Sequence, residues 1–167
     1  MQFKTALLAA AVAAAGLAVQ PFDTAHAGTS TANMDVKITI QNACDVTTVA
    51  PTTLDFGTQG PLTAAVDNTS TITVTCTSGA DYNVGLDGGS AADVTARVMK
   101  NGTDSVAYQL YSDSGHSTVW GNTIGTDTVT STGTGTQQTF TVYGEVPAQT
   151  TPPAGTYTDT VAVTVTY

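Results

Sequence analysis

The chain has 167 residues, four basic side chains and a formal net charge of −9 at pH 7. Charged residues make up 10% of it, against about a quarter in an ordinary globular domain. So few basic side chains exclude an electrostatic surface for nucleic acid, and they argue equally against binding to anionic lipid. Threonine, glycine, alanine and valine are abundant instead, which favours a durable extracellular β protein.

Residues 1–27 have the pattern of a secretory signal peptide. Lys4 precedes an apolar run at residues 7–19, and Ala-His-Ala at 25–27 has the small residues that signal peptidase recognises. We therefore expect cleavage after Ala27, export, and a mature chain of residues 28–167 that forms one domain. Three basic residues and twelve carboxylates remain after cleavage, so the net charge is still −9.

The first strand-like run of the mature chain is MDVKITI at residues 34–40. Apolar and polar residues alternate along it, which is typical of a strand with one buried face. The apolar members are Met34, Val36, Ile38 and Ile40.

Cys44 and Cys76 are the two cysteines of the chain. An even number in an exported protein indicates a disulfide, and two free buried thiols are the alternative. The bond would close a loop of about 33 residues and contribute roughly 4 kcal/mol. Two cysteines and the single mature histidine, His116, cannot complete a tetrahedral zinc shell. We therefore expect no metal site and no cofactor.

Further strand-like runs follow with turn residues between them, at residues 70–77, 82–86, 94–100, 105–111 and 140–146. Asn101-Gly102 predicts a hairpin between two of these runs. The low-complexity stretch 126–139 is predicted to be a mobile loop. Helix signals are almost absent, so about seven strands in one domain predict an all-β, antiparallel sandwich.

The last run, residues 157–167, alternates without a fault. Asp159 is the single polar member of its apolar face, and threonine and alanine occupy the other face. The apolar members are Tyr157, Val161, Val163, Val165 and Tyr167.

Residues for catalysis are scarce, so we expect the protein not to be an enzyme. His116 lies in the turn-forming stretch 113–117, which is more typical of a turn than of a Ser/His pair. Gly133-Thr134-Gly135 lacks the third glycine of a phosphate loop. Glu145 is the only glutamate, so no glycosidase-type carboxylate pair can be chosen. Trp120 and the tyrosines could line a sugar-binding surface, although packing in the core is the simpler interpretation.

In this order the motifs resemble the spore coat protein U domain, the pilin family of archaic chaperone–usher systems that includes the Csu biofilm pilus. The resemblance covers the mature chain. Its motifs are the alternating stretch 36–44 that ends in a cysteine, LDFG at 54–57, ITVTC at 72–76, YNVGLDGG at 82–89, RVMKNG at 97–102, YQLY at 108–111, WG at 120–121 and PAGTYTDT at 153–160.

The resemblance implies an incomplete immunoglobulin-like β-sandwich that lacks its last strand and is completed by donor-strand complementation. One of the seven runs is then the donor and six form the body. A periplasmic pilus chaperone lends a strand first, and at the outer-membrane usher the N-terminal extension of the next subunit replaces it. The implied partners are thus the chaperone, the usher and neighbouring pilin subunits, and the implied destination is a cell-surface fimbrium.

The resemblance also suggests roles for the two alternating termini. Residues 28–40 suit the donor segment, and residues 41–167 then form the pilin domain. Alternatively, the apolar residues of 34–40 simply begin the domain's own first strand, because only residues 28–43 precede Cys44. The expected donor side chains are Met34, Val36, Ile38 and Ile40. The expected edge of the chaperone and donor groove is Val161, Val163, Val165 and Tyr167.

The expected function is a structural subunit of a surface pilus that polymerises by donor-strand exchange and supports adhesion and biofilm formation. One domain without a second module favours a stalk or minor subunit over a two-domain tip adhesin. The alternatives are a minor or tip subunit that binds a surface or glycan, and a secreted protective coat protein.

Overall fold

The computed structural model describes residues 27–46 and 51–167. The chain divides into two compact units, Met1–Ile38 and Thr39–Tyr167. In the first unit, the described residues 27–38 are exposed and belong to no helix or strand. The predicted signal peptide lies outside the described residues except for Ala27. Within the described residues, no helix is both long and apolar enough to cross a membrane.

The second unit is built from antiparallel strands and one short 3₁₀ turn, Gly89–Ala91. The strands in its described part are β1 (Cys44–Asp45), β2 (Val66–Cys76), β3 (Asp81–Leu86), β4 (Val98–Asn101), β5 (Asp104–Ala107), β6 (Gln109–Tyr111), β7 (Val129–Thr132), β8 (Gln137–Val146) and β9 (Val163–Thr166). They form a four-stranded sheet β1-β2-β8-β6, a three-stranded sheet β7-β3-β9 and the hairpin β4-β5. The predicted all-β antiparallel class is confirmed.

The long central pair of the four-stranded sheet supplies one wall of the core. β2 and β8 are in register from Val66 opposite Val146 to Thr75 opposite Gln137. Because side chains alternate between the faces of a strand, one face of the pair is buried and threonines occupy much of the other. The buried residues of this face are Ser70, Ile72, Val74, Cys76, Val142, Gly144 and Val146.

The three-stranded sheet packs its own apolar face against that pair. Tyr82, Val84 and Leu86 of β3 are at most 2% exposed and belong to the same core cluster as β2 and β8. Phe140 meets Tyr82 edge to face with ring centroids 6.2 Å apart, and it meets Trp120 at 6.5 Å. The two sheets therefore share one core, as in a β-sandwich.

A fully buried arginine holds the loops at one end of this core. Arg97 is 0% exposed, and all five of its N–H donors are bonded. Nε donates to the carbonyl of Asp87 at 2.9 Å, and Nη2 donates to the carbonyls of Leu86 and Trp120 at 3.0 and 2.8 Å. The remaining two donors, on Nη1, bond to the carbonyl of Val94 and to Oε1 of Gln109.

Two local predictions are confirmed by this fold. Cys44 and Cys76 form a disulfide, and they also face each other as Cα partners between β1 and β2. The predicted hairpin between β4 and β5 forms, with its two-residue turn at Gly102-Thr103, one residue beyond the predicted Asn101-Gly102, and Gly102 has a positive φ of 60°.

The prediction of a mobile loop at 126–139 is wrong. β7 and the start of β8 lie in this stretch, and β7 pairs with β3. Its threonine hydroxyls bond across the pair, Thr130 to Asn83 at 2.8 Å and Thr132 to Asp81 at 2.7 Å. A strand stabilised by outward-facing threonines needs no apolar alternation, which is why its sequence looked unstructured. The described part contains nine strands, because six of the seven predicted runs contain strands and three more come from β1, β7 and the division of run 105–111 into β5 and β6.

Candidate functional site

One edge of the three-stranded sheet is open. β9 pairs with β3, and its other edge has no strand partner in the described part of the chain. Val163 lies opposite Leu86, whose N–H donates to the carbonyl of Gly121 and whose carbonyl accepts from Arg97. Since Leu86 uses both backbone groups elsewhere, Val163 is in a non-hydrogen-bonded pair and its N–H and C=O point towards the open edge.

Residues 51–57 form the facing wall, along the edge of the four-stranded sheet. The Thr52 N–H donates to the carbonyl of Thr71 at 3.0 Å, and the Asn68 side-chain amide donates to the carbonyl of Asp55. Leu54 and Phe56 turn inwards over β8 at Gly144. A Cβ atom at Gly144 would lie 2.7 Å from the tip of the Leu54 side chain, so glycine lets this wall pack closely onto β8.

A cleft of about 420 Å³ separates the two walls. Its lining is mainly apolar, and its floor is the shared core. It continues into a second cleft of about 610 Å³ that shares Phe56 and Met99 with the first. The lining of the first cleft includes Thr52, Leu54, Phe56, Ser70, Ile72, Leu86, Met99, Tyr108, Leu110, Val142, Val161 and Val163.

The residues predicted for the groove edge occupy different positions. Val161 and Val163 line the first cleft. Val165 is half-buried, pairs with Val84 and packs against the core below the edge. Tyr167 is 62% exposed and is not part of either lining. The structure thus brings two of these four side chains into the cleft.

The residues predicted for the donor segment are all strongly exposed. Met34, Val36 and Ile38 are 81–84% exposed, and Ile40 is 69% exposed. Residues 34–40 belong to no strand, and the first strand of the described body begins only at Cys44. An alternating row of exposed apolar side chains indicates an interaction surface.

Asp159, which sequence reasoning passed over, fixes the start of the β9 wall. Its Oδ1 accepts from the Ser90 N–H at 2.9 Å, beside Gly89, and its Oδ2 accepts from the Tyr108 hydroxyl. Gly89 has φ +56°, and a Cβ there would lie 2.2 Å from the Asp159 carboxylate. The signal was present in the sequence, because Asp159 is the one polar residue on an apolar face.

Asp87 ties the same wall to the end of β3. Its N–H donates to the carbonyl of Ala162 at 3.1 Å, and its Oδ1 accepts from the N–H groups of Ala162 and Gly89. These hydrogen bonds, together with those of Arg97 to Asp87 and Trp120, connect five of the sequence motifs at the base of the cleft. The connected motifs are 82–89, 97–102, 108–111, 120–121 and 153–160. Their residues therefore hold the cleft in shape.

The cleft is suited to burying apolar side chains and to pairing with a further strand, and its lining offers few reactive groups. Its lining contains one carboxylate, Asp159, and both oxygens of that group already accept hydrogen bonds. The lining contains neither histidine nor cysteine. An open strand edge above an apolar floor can take an extended segment with alternate apolar side chains.

Known proteins resemble this chain in sequence and in fold. A family model described as Spore Coat Protein U domain matches residues 30–164. Protein U of Myxococcus xanthus is 38% identical over 179 residues, which cover 98% of each chain. One chain of the CsuC-CsuE chaperone-tip adhesion subunit pre-assembly complex, from archaic chaperone-usher Csu pili of Acinetobacter baumannii, is 26% identical with a TM-score of 0.54. That match covers 77% of this chain and 40% of the structural relative.

Proposed function

Because the chain belongs to the Spore Coat Protein U domain family, we propose that it is a structural subunit of a surface pilus, assembled by donor-strand exchange. The observation that carries the proposal is the open edge of β9 beside an apolar cleft. The cleft receives an alternating strand from another molecule, first from a chaperone and later from the next subunit.

Residues 28–40 provide that strand to a neighbouring subunit. Residues 34–40 alternate as a donor must, because successive side chains of a strand point to opposite faces. The four exposed apolar side chains enter the cleft of the neighbour, and the strand backbone pairs with the open edge at Val161 and Val163. Residues 41–167 form the receiving domain, and Val165 supports the edge from below.

The energy of this exchange is large relative to the stability of a domain. Each fully buried aliphatic side chain contributes roughly 1.5–3 kcal/mol, so four contribute about 6–12 kcal/mol. Whole domains are stable by only about 5–15 kcal/mol. A subunit without a donor strand is therefore marginal, and filling the cleft completes folding and polymerisation together.

The proposed partners are a periplasmic chaperone, an outer-membrane usher and further pilin subunits. The structural relative comes from a complex of a chaperone with a tip adhesion subunit, which supports a chaperone as partner. The protein is exported with residues 1–27 as signal peptide, and it reaches the cell surface as part of a fimbrium that supports adhesion and biofilm formation.

Two alternative roles each have one supporting observation. The similarity to a chain from a complex that contains a tip adhesion subunit favours a minor or tip subunit, although this chain spans only 40% of that relative. The similarity to Protein U across both whole lengths, together with the name of the family, favours a secreted coat protein. Electron microscopy of cells labelled on this subunit separates the three, because label lies along a shaft, at one end of a fibre, or over the cell surface.

The donor assignment is tested by substitutions on the two faces of segment 34–40 and by deletion of the segment. Ile38→Asp places a charge on the apolar face of residues 34–40, and Thr39→Asp places the same charge on the opposite face. Co-expressed with its chaperone and usher, the Ile38→Asp subunit should bind chaperone but form few or no fibres, while Thr39→Asp forms them normally. Deletion of residues 28–40 should act like Ile38→Asp. Wild-type fibre length from the deletion variant would contradict the proposal.

A further inference from the structure

Two carboxylates stand side by side on the outer face of the four-stranded sheet. Asp67 of β2 and Glu145 of β8 are direct Cα partners in the antiparallel pair. Side chains at such positions lie on the same face about 5 Å apart, and like charges there destabilise a sheet. A group that offsets their negative charge would therefore stabilise the sheet.

The imidazole of His116 lies over this pair. Its Nδ1 atom is 3.5 Å from Oε2 of Glu145 and 3.9 Å from Oδ1 of Asp67. The Tyr111 ring stacks against the imidazole with centroids 5.0 Å apart. His116 therefore reaches the carboxylates from a loop, while Tyr111 holds its ring from the neighbouring strand β6.

Basic side chains do not compensate these carboxylates. In the described residues, neither Asp67 nor Glu145 has a lysine or arginine nitrogen within 4.0 Å. Arg97 is buried with all of its donors bonded elsewhere. The two carboxylates carry like charge side by side, which a divalent cation between them would neutralise.

We propose that Asp67, His116 and Glu145 bind a divalent transition-metal ion of the zinc type. One ligand atom from each residue lies within 4.8 Å of the other two. Bonds of about 2.0–2.1 Å in a tetrahedral zinc site place ligand atoms about 3.3–3.5 Å apart. The distance from Nδ1 to Oε2 already fits, and the Asp67 side chain, which is 59% exposed, has room to move towards these two atoms.

The ligand set selects among cations. Imidazole suits zinc, copper and nickel, whereas calcium and magnesium prefer oxygen ligands alone. Water completes the shell, because the chain supplies three ligands. The bound ion joins β2, β8 and the loop that carries His116, so it stabilises the outer face of the sheet. This site does not depend on the cleft or on the pilus proposal.

Sequence reasoning expected no metal because it considered only cysteine and histidine as ligands. Asp67 and Glu145 lie far apart in the chain and looked like isolated acids. Their juxtaposition follows from the register of β2 and β8, which no local pattern reveals.

The test is zinc titration of the full exported chain, purified as it is isolated from the periplasm and stripped of metal with EDTA. Calorimetry should detect one zinc equivalent that is weakened at least about tenfold in His116→Ala, Asp67→Asn and Glu145→Gln. Asp104→Asn removes an exposed carboxylate from the first position of β5 and should leave zinc binding unchanged. Cobalt(II) bound in place of zinc should give a visible absorption spectrum typical of nitrogen and oxygen ligands. This spectrum should be absent in His116→Ala.

Two results would overturn the site. One is that Asp67→Asn binds zinc as tightly as Asp104→Asn does. Asp67→Asn should keep the core intact, because Asp67 is exposed. The other is calcium binding as tight as zinc binding and unaffected by His116→Ala, which would indicate carboxylates acting alone. If His116→Ala does not fold, the zinc affinity of Asp67→Asn alone tests the site.

Discussion

The hydroxyl of Tyr108 donates a 2.7 Å hydrogen bond to Oδ2 of Asp159. Tyr108 lies between β5 and β6, and Asp159 begins the segment that leads into β9. This bond joins the middle of the chain to the wall of the cleft. It explains why a charged residue interrupts an otherwise apolar face.

We expect Tyr108→Phe to lower the free energy of unfolding by about 1–3 kcal/mol, since a half-buried carboxylate oxygen loses its donor. Urea unfolding of the purified chain measures the change. Tyr143→Phe is the matched control, because the Tyr143 hydroxyl makes no hydrogen bond with the described residues; its effect should stay within about 0.5 kcal/mol. Equal losses in the two variants would show that the bond to Asp159 contributes nothing.

The same bond predicts a response to alkaline pH. Burial, followed by the hydrogen bond to Asp159 and its charge, raises the pKa of Tyr108 above the ordinary value of 10.0. A raised pKa in the folded state contributes stability that is complete below the pKa of the unfolded chain and is lost as pH rises through the folded value. The stability difference between wild type and Tyr108→Phe should therefore shrink above about pH 10. A difference that stays constant from pH 8 to pH 11, followed by circular dichroism, would contradict this linkage.

Arg97→Met should destabilise the chain by more than about 3 kcal/mol, because several buried carbonyls lose their donors together. Arg97→Lys should recover little, since an ammonium group has three donors where the guanidinium uses five. The melting temperature and the periplasmic yield measure the loss. Lys100→Met, at an exposed position of β4, is the control and should be nearly neutral. A stable Arg97→Met protein would show that the loops close without this side chain.

Val163→Asp should abolish capture by the chaperone and by the next subunit, because it places a charge in the apolar cleft. Thr164→Asp adds the same charge to the exposed face of the same strand and should behave like wild type. Co-purification with the chaperone compares the two. If both variants are captured equally well, then the cleft beside β9 is not the binding surface.

Much of the fold could be predicted from residue alternation. β2, β3, β8 and the half-buried face at 161–165 follow a period of two, and the hairpin follows from Asn101-Gly102. The threonine strand β7 could not be recognised in this way, because hydroxyl bonds to β3 replace an apolar face.

The site could be predicted only in part. The alternation of residues 34–40 and 157–167 was visible, but β9 proper extends only over Val163–Thr166. In the preceding residues 157–162, hydrogen bonds to the side chains of Asp159 and Asp87 replace the regular strand pairing that the alternation predicts. The open cleft and the outer-face trio depend on sheet order and register, which are properties of the whole fold.

The disulfide has a mechanical consequence. In the described part of the chain, β1 pairs with β2 through Cys44 and Asp45, and Ala43 adds one backbone bond to Thr77, so tension on residues 34–40 would peel this short strand away. The sulfur bridge at Cys44 instead passes the load covalently to Cys76, at the end of the eleven-residue strand β2. Pulling then shears the long pairing of β2 with β8, where many hydrogen bonds must break together. A fibre built from such subunits would resist extension at every junction, and reduction would lower the force at which it yields.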